Sequence, residues 1–267
     1  MKMKPFFRQF LCVTLCLLLT VSVFPLPMNA AGEDPIEDAA MALRSAMVER
    51  NTEEFSFSWE SDQWLFSTPI DGDDAALEAE VNKLLDDIYN RAIAHNPDFS
   101  NEGDYLRWHI RGYSEYMRLE YEADESGKET YTYTANFTIS YYTTLNQEKE
   151  LTKKLNAVLA ELNLVGKKDY EKIKAIYDYI CSHVEYDLEN LNDPNYDLKY
   201  TAYAALVNGK AVCQGYSSLF YRMALQAGVD TRMIISTSSR PKGMQNAITK
   251  GSILNFCIFG SFGNFIG

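Results

Sequence analysis

The stretch Tyr200-Thr201-Ala202-Tyr203-Ala204-Ala205-Leu206-Val207-Asn208-Gly209-Lys210-Ala211-Val212-Cys213-Gln214-Gly215-Tyr216-Ser217 decides how this chain reads. Gly209 permits a turn with positive φ, and Gly215 lets backbones approach closely beside the thiol of Cys213. From Val212 onward, apolar residues recur at helical spacing through Leu219, Phe220, Met223, Ala224 and Leu225. Gly228 then stands where a helix C′ residue would. Cys213 is therefore expected in the first turn of a buried helix. The unpaired N–H groups and positive dipole end there favour a thiolate, and could hold an oxyanion formed on an attacked carbonyl. Taken alone, the residues leave a second reading open: Cys213 as a small buried hydrophobe, which is what most free cysteines are.

A second motif lies upstream. Asp169-Tyr170-Glu171-Lys172-Ile173-Lys174-Ala175-Ile176-Tyr177-Asp178-Tyr179-Ile180 puts Ile173, Ile176, Tyr177 and Ile180 on one helical stripe, with Asp169 as the expected cap. It runs into His183-Val184-Glu185-Tyr186-Asp187. Together the two segments resemble the transglutaminase-like superfamily, cysteine enzymes of acyl transfer related to papain-type proteases, in a bacterial-type secreted form. The resemblance spans roughly Asp169 to Ile235, with a helix ending in V-x-Y-D followed by the nucleophile segment, in the family's order. It implies an α+β fold with a papain-like core, in which the nucleophile helix packs on an antiparallel sheet. It also implies that Cys213 is the catalytic nucleophile position, for thiol acyl transfer or peptidase chemistry on polypeptide amides.

The resemblance stops after Val229-Asp230-Thr231-Arg232-Met233-Ile234-Ile235. The family continues with a strand beginning H-A-W-N, which carries the general base, and an aspartate one strand later. Residues 236–267 contain no His, Asp or Glu. The nearest trace is Ser252-Ile253-Leu254-Asn255-Phe256, with Ser252 at the histidine's place, and serine cannot act as that base. The His and Asp partners are therefore not found. The tail also turns abruptly rich in Gly, Phe, Ser and Ile. This pattern is expected of an altered or cut-short reading frame near Ser236, or else of a pseudoenzyme that keeps its fold for binding, and the abruptness favours the first. On either reading the chain as written is expected to be inactive.

The chain has 267 residues and a net charge of −12. It opens with Lys2, Lys4 and Arg8, an apolar run from Phe10 to Phe24, and then Asn29-Ala30-Ala31, the pattern of a secretory signal peptide. That run is short for a membrane span, which needs roughly 20 apolar residues, although an uncleaved anchor stays open as the alternative. Cleavage is expected after Ala30 or Ala31. Taking away the three basic residues leaves 22 against 37 acidic ones, net −15. Such a balance speaks against nucleic acid and, after cleavage, against an anionic membrane as partner. The expected partner is a protein or peptide substrate, or a cell-wall polymer, and the expected location is secreted or at the cell surface. Beyond residue 31 the cysteines are Cys181, Cys213 and Cys257, too few for a disulfide framework, with a single Cys181–Cys257 bridge left open.

No cofactor or metal is expected. His95, His109 and His183 have no partners at ligand spacing, and Asp71-Gly72-Asp73-Asp74 reads as a turn before a helix rather than a calcium loop. His183, upstream of the thiol, reads as a helix-end histidine rather than a base.

Ahead of the core, residues 32–146 read as a small α+β domain. A helix is expected over 35–50, and a strand over Phe55-Ser56-Phe57-Ser58-Trp59. A second helix starts from Asp73 or Asp74 and ends near Asn96-Pro97. Two aromatic-rich segments, Tyr105 to Tyr121 and Thr130 to Thr143, are expected to form an antiparallel hairpin. Because Asn136-Phe137-Thr138 falls in that hairpin, it reads as a chance sequon. A helix from Gln147 to Asn163, closed near Gly166, opens the core at 147–235, and the polar loop Leu188 to Asp197 is placed to border a substrate cleft. Residues 236–267 form the atypical tail. The competing function is a non-catalytic extracellular module, in which the tyrosine-rich N-terminal domain binds protein or cell-wall polymer.

Overall fold

The computed structural model describes residues 34–233 and, beyond them, the backbone of Ile258–Gly260. The expected signal segment, Ser252, Asn255 and Cys257 lie outside the described residues. Helix α1 (Pro35–Val48) starts as its sequence demands: Asp34 Oδ1 accepts from the amides of Ile36 and Glu37, proline fills the first turn, and Ala39, Ala40, Leu43 and Met47 are buried. It packs on α2 (Asp74–Ala92), capped by Asp73 Oδ1 at 2.9 Å from the Ala75 amide. The second helix ends at Ala92, four residues short of Asn96-Pro97.

The two helices cover one antiparallel sheet, ordered β1 (Phe55–Ser61), β3 (Glu129–Tyr141), β2 (Ile110–Ala123). Its central strand alternates as half-buried sheets do, with Tyr133, Ala135, Phe137 and Ile139 buried. Trp59 pairs with Tyr133 in register and stacks on it at 5.4 Å. The hairpin turn is tied by Asp124 Oδ1, which accepts from the amides of Ser126 and Lys128 around Gly127 at φ 80°. Asn136 is buried and accepts from Ser56 Oγ at 2.7 Å, which leaves no room for a glycan in the folded chain.

One element differs from expectation. Residues 104–109 form a short helix, α3 (Asp104–His109), where the aromatic run predicts strand. Gly103 at φ 59° turns the chain, and Asp104 is claimed by Arg232 at 2.8 Å and by the Met233 amide at 2.9 Å. Partners over a hundred positions away outweigh local β preference here. Leu106 joins the cluster of buried side chains formed by α1, α2 and the sheet, whereas Tyr105 joins a second cluster formed by residues 151–233.

That second cluster is helical. Helix α4 (Leu145–Leu162) opens with a reciprocal cap between Thr144 and Gln147, and ends at Asn163 in the left-handed conformation, φ 48°, three residues before Gly166. Helix α5 (Asp169–His183) is capped one residue earlier than expected. Lys168 is the N-cap, Asp169 lies inside the first turn, and Glu171 accepts from the Lys168 amide at 2.9 Å. Helix α6 (Cys213–Gln226) packs beside α5. Two short pairs complete the described core. Strand β4 (Glu185–Tyr186) lies parallel to β5 (Lys210–Ala211), and β6 (Thr231–Met233), against which α6 packs, lies antiparallel to β7 (Ile258–Gly260). The whole is a mixed helix-and-sheet fold, as the α+β reading expects.

Candidate active site around Cys213

Cys213 is the first residue of α6, after Val212 as N-cap in extended conformation. The first helical bond runs from the Tyr216 amide to the Val212 carbonyl, so the amides of Cys213, Gln214 and Gly215 precede the helix ladder. Every residue from Gly215 to Leu225 is buried, so the helix is enclosed on all sides. Cys213 itself is half-buried. Gly228 at φ 75° follows the C-cap, as the sequence predicts.

The turn is held from beneath. A β-carbon on Gly215 would stand 2.6 Å from Ala211 Cβ, 2.8 Å from the Thr201 carbonyl oxygen and 3.0 Å from that of Lys199. Only glycine lets the helix sit this close. Gly209, at φ 73°, closes a π-helical turn (Ala204–Asn208) and feeds β5. The carbonyls of Gly209, just before β5, and of Ala211 within it then accept from the V-x-Y-D segment: Glu185 N to Gly209 O at 2.7 Å, and Asp187 N to Ala211 O at 3.0 Å. The V-x-Y-D segment and the nucleophile segment are thus joined through a short parallel ladder whose last pair, Tyr186 with Ala211, stands two residues before Cys213. Tyr216 adds a further tie, its hydroxyl donating to the Val184 carbonyl at 2.7 Å, and burial pushes that hydroxyl up to about 12.

Three further ties have no counterpart in the sequence reading. Gln214 Nε2 donates to the Trp108 carbonyl at 2.7 Å, fastening α3 to the nucleophile turn. Lys199 is almost fully buried; its ammonium donates to the carbonyls of Asn190, at 2.7 Å, and of Asp193, and lies over the Tyr200 ring. The third tie is a buried charge cluster. Glu148 of α4 pairs with Arg222 of α6 at 3.1 Å and with Arg50 at 3.0 Å, and accepts from Tyr105 and Thr143. Burial, the largest single influence, would raise the Glu148 carboxyl, but Arg50, His109, Arg222 and the Thr143 hydroxyl together outweigh it and bring it down to about 2. Of these ties only the last leaves a trace in the sequence, an arginine inside the apolar run of α6.

The histidines are occupied elsewhere. His183 is exposed at the end of α5; its Nδ1 lies 2.8 Å from the Tyr179 carbonyl oxygen, and its ring stacks on Tyr179 at 4.2 Å. This is the helix-end role expected of it. His95 pairs with Asp230 at 2.7 Å. His109 is fully buried, with Nδ1 2.8 Å from the Tyr105 carbonyl oxygen and Nε2 accepting from the Ala202 amide at 3.4 Å, and burial pushes its ring down to about 4. Among the described residues, none of these contacts reaches the Cys213 sulfur. Asp187 is buried, but its carboxylate accepts from the Asn190 amide and side chain, which makes it a loop anchor rather than an orienting partner. Among the described residues, no group of three or more His, Cys, Asp or Glu is arranged to hold a metal ion, and no helix is long and apolar enough to cross a membrane.

Part of the chain is similar to known proteins. Kyphoscoliosis peptidase of Mus musculus is 35% identical over 75 residues, and that of Homo sapiens 32% over 75 residues. In each case the match covers 28% of this chain and 11% of the relative, so the chain spans about a tenth of the length of these curated relatives. Residues 156–255 match the model of the transglutaminase-like superfamily, a span that begins in α4, contains Cys213 and runs past Ser236. The chain therefore carries a transglutaminase-like superfamily domain.

Proposed function

We propose that this chain is an exported transglutaminase-like protein in which Cys213 occupies the nucleophile position for acyl transfer on polypeptide amides. One observation carries the reading: Cys213 opens a fully enclosed helix whose first turn is pressed onto backbone that only Gly215 can tolerate. A thiolate there would attack the amide carbonyl carbon, with the first-turn amides facing the oxyanion that forms. The C–N bond then breaks, the amine leaves with a proton, and the thioester passes its acyl group to water or to a second amine. The proton must travel from the thiol to the leaving amine, and that is an imidazole's task.

From Cys213 to Gly267 this polypeptide has no histidine. As a chain of these residues it is therefore expected to turn over substrate inefficiently or not at all, since general acid–base help is typically worth ~10²–10⁴ in rate. The test compares the parent with Cys213→Ala on glutamine-containing and ordinary peptides. Equal background release is expected from both. Turnover by the parent that the alanine variant loses would show that another group serves as base, and would overturn the proposed inactivity.

A second reading, a non-catalytic binding module, draws on the sheet. Tyr113, Tyr116 and Tyr121 of β2 are each 42–52% exposed. Two of them are already stacked, Tyr113 on Tyr89 at 4.2 Å and Tyr121 on Tyr131 at 6.0 Å, which makes a continuous aromatic platform the weaker reading.

A further inference from the structure

Helix α1 ends in a way its sequence does not favour. The amides of Arg50 and Asn51 return to the carbonyls of Met47 and Ala46, the paired bonds that close a helix through a left-handed residue. That residue is Arg50, at φ 53°, where glycine is the ordinary occupant. The arginine stands there against local preference, and its side chain is committed to the interior. Arg50 is only 7% exposed, and its guanidinium reaches Glu148 of α4. That carboxylate already pairs with Arg222 of α6, which is 2% exposed.

Two buried guanidinium groups therefore share one carboxylate. Glu148 has no capacity left for further donors, because its oxygens also accept from Tyr105 and Thr143. Beyond Glu148, Arg222 donates to Thr152 Oγ1 at 3.0 Å, while its Nε is buried with no acceptor among the described residues. Buried donors are ordinarily paired, so this cluster is short of acceptors as well as of negative charge.

The same cluster lines a cavity of about 260 Å³. Its wall is the face of α4 that carries Leu145, Glu148, Lys149 and Thr152, set against Arg222 and the end of α1. The charged lining is Arg50, Arg222 and Lys149 against Glu49 and Glu148, three positive and two negative, net +1. Glu49 and Lys149 are exposed and offset each other, so the excess lies with the buried arginines. The size is below the roughly 300–1,000 Å³ of pockets for drug-sized ligands, which restricts the occupant to a small molecule.

We propose that this cavity binds a small organic carboxylate, its charge held by the excess positive charge of Arg50 and Arg222 and its apolar body lying against Val48 and Leu145. A single excess charge matches a monoanion, and Glu148 opposes a second negative charge. The two apolar residues of the lining favour a carboxylate with a short hydrocarbon body over a bare inorganic ion. The occupant would tie the end of α1 to α4 and α6. The site stands independently of the reading of Cys213 as nucleophile.

The test is saturation-transfer NMR on the full chain at pH 8, with sodium hexanoate, neutral hexanamide and inorganic phosphate. The parent is expected to bind hexanoate, and to bind hexanamide weaker by on the order of 10-fold, since only the anion meets the excess charge. Phosphate is expected to displace hexanoate poorly. Lys149→Glu turns the net charge of the lining from +1 to −1 at an exposed position, and is expected to weaken hexanoate binding by on the order of 10-fold. Leu145→Trp fills the cavity and is expected to abolish the signal. Lys83→Glu makes the same change of charge at an exposed position of α2 and is expected to leave it intact. No hexanoate signal in the parent, hexanamide bound as well as hexanoate, or a signal that survives both Lys149→Glu and Leu145→Trp would overturn the site. An equal loss in Lys83→Glu would overturn it too, by showing an effect of overall charge. Phosphate that displaces hexanoate at lower concentration would overturn the carboxylate as occupant.

Discussion

The carbonyl oxygen of Thr201 lies 2.8 Å from where a β-carbon on Gly215 would stand, with Ala211 Cβ closer still at 2.6 Å. The nucleophile turn therefore depends on the missing side chain. In Gly215→Ala, overpacking against rigid backbone costs roughly 3 kcal/mol, while helix propensity returns about 1 kcal/mol. The net loss is expected to be about 2 kcal/mol, measured as a shift of the urea midpoint at unchanged slope. A variant as stable as the parent would mean that the contact is relaxed in solution.

The charge cluster under α6 makes a second expectation. Glu148→Gln leaves Arg50 and Arg222 buried without their shared carboxylate. Breaking a buried pair in this way costs about 3–5 kcal/mol. Thermal or urea unfolding checks it, and a loss below about 1 kcal/mol would show that the cluster is solvated rather than buried.

Acid should expose His109. Its ring titrates near 4 when folded, against an ordinary value near 6.5 when unfolded, so between these pH values the unfolded chain binds the extra proton. Stability is therefore expected to fall as pH drops from about 6.5 to 4, by on the order of 3 kcal/mol. Glu148, held near 2, adds a further loss as pH falls below about 4.5. Urea midpoints measured at pH 7 and pH 4.5 for the parent and His109→Gln separate the two groups. The variant should start less stable and show a flatter profile over that range; parallel profiles would remove His109 as the titrating group.

Much of this arrangement is legible residue by residue. Gly209, Gly215 and Gly228 announce themselves because the demand for positive φ or close approach belongs to the residue type, and the stripe of α6 announces itself through helical spacing. Asp73 is readable as a cap for the same reason, whereas the α5 cap is misplaced by one residue because Lys168 supplies only backbone. The helix at Asp104–His109 is not legible. It is decided by Arg232, Met233 and the Ala202 amide, partners over ninety positions away. The buried Lys199 and the Gln214–Trp108 bond are hidden likewise, since nothing local in a lysine or a tryptophan carbonyl signals what will close over it.

Export remains a proposal carried by the first 31 residues. Material secreted from an expressing cell is expected to begin at Ala31 or Gly32, because small residues precede those cuts. Recovery of Met1 by N-terminal sequencing would point to a retained anchor instead.

The most direct measurement compares alkylation of Cys213 and Cys181 by iodoacetamide in the folded chain, each followed by mass spectrometry of its own peptide. Both thiols are half-buried, so exposure alone does not separate them. Cys213 starts its helix, whereas Cys181 lies in the last turn of α5. The positive end of a helix favours a thiolate and the negative end opposes it. Cys213 is expected to react several-fold faster. Equal rates, or a faster Cys181, would contradict the placement of a nucleophile at Cys213.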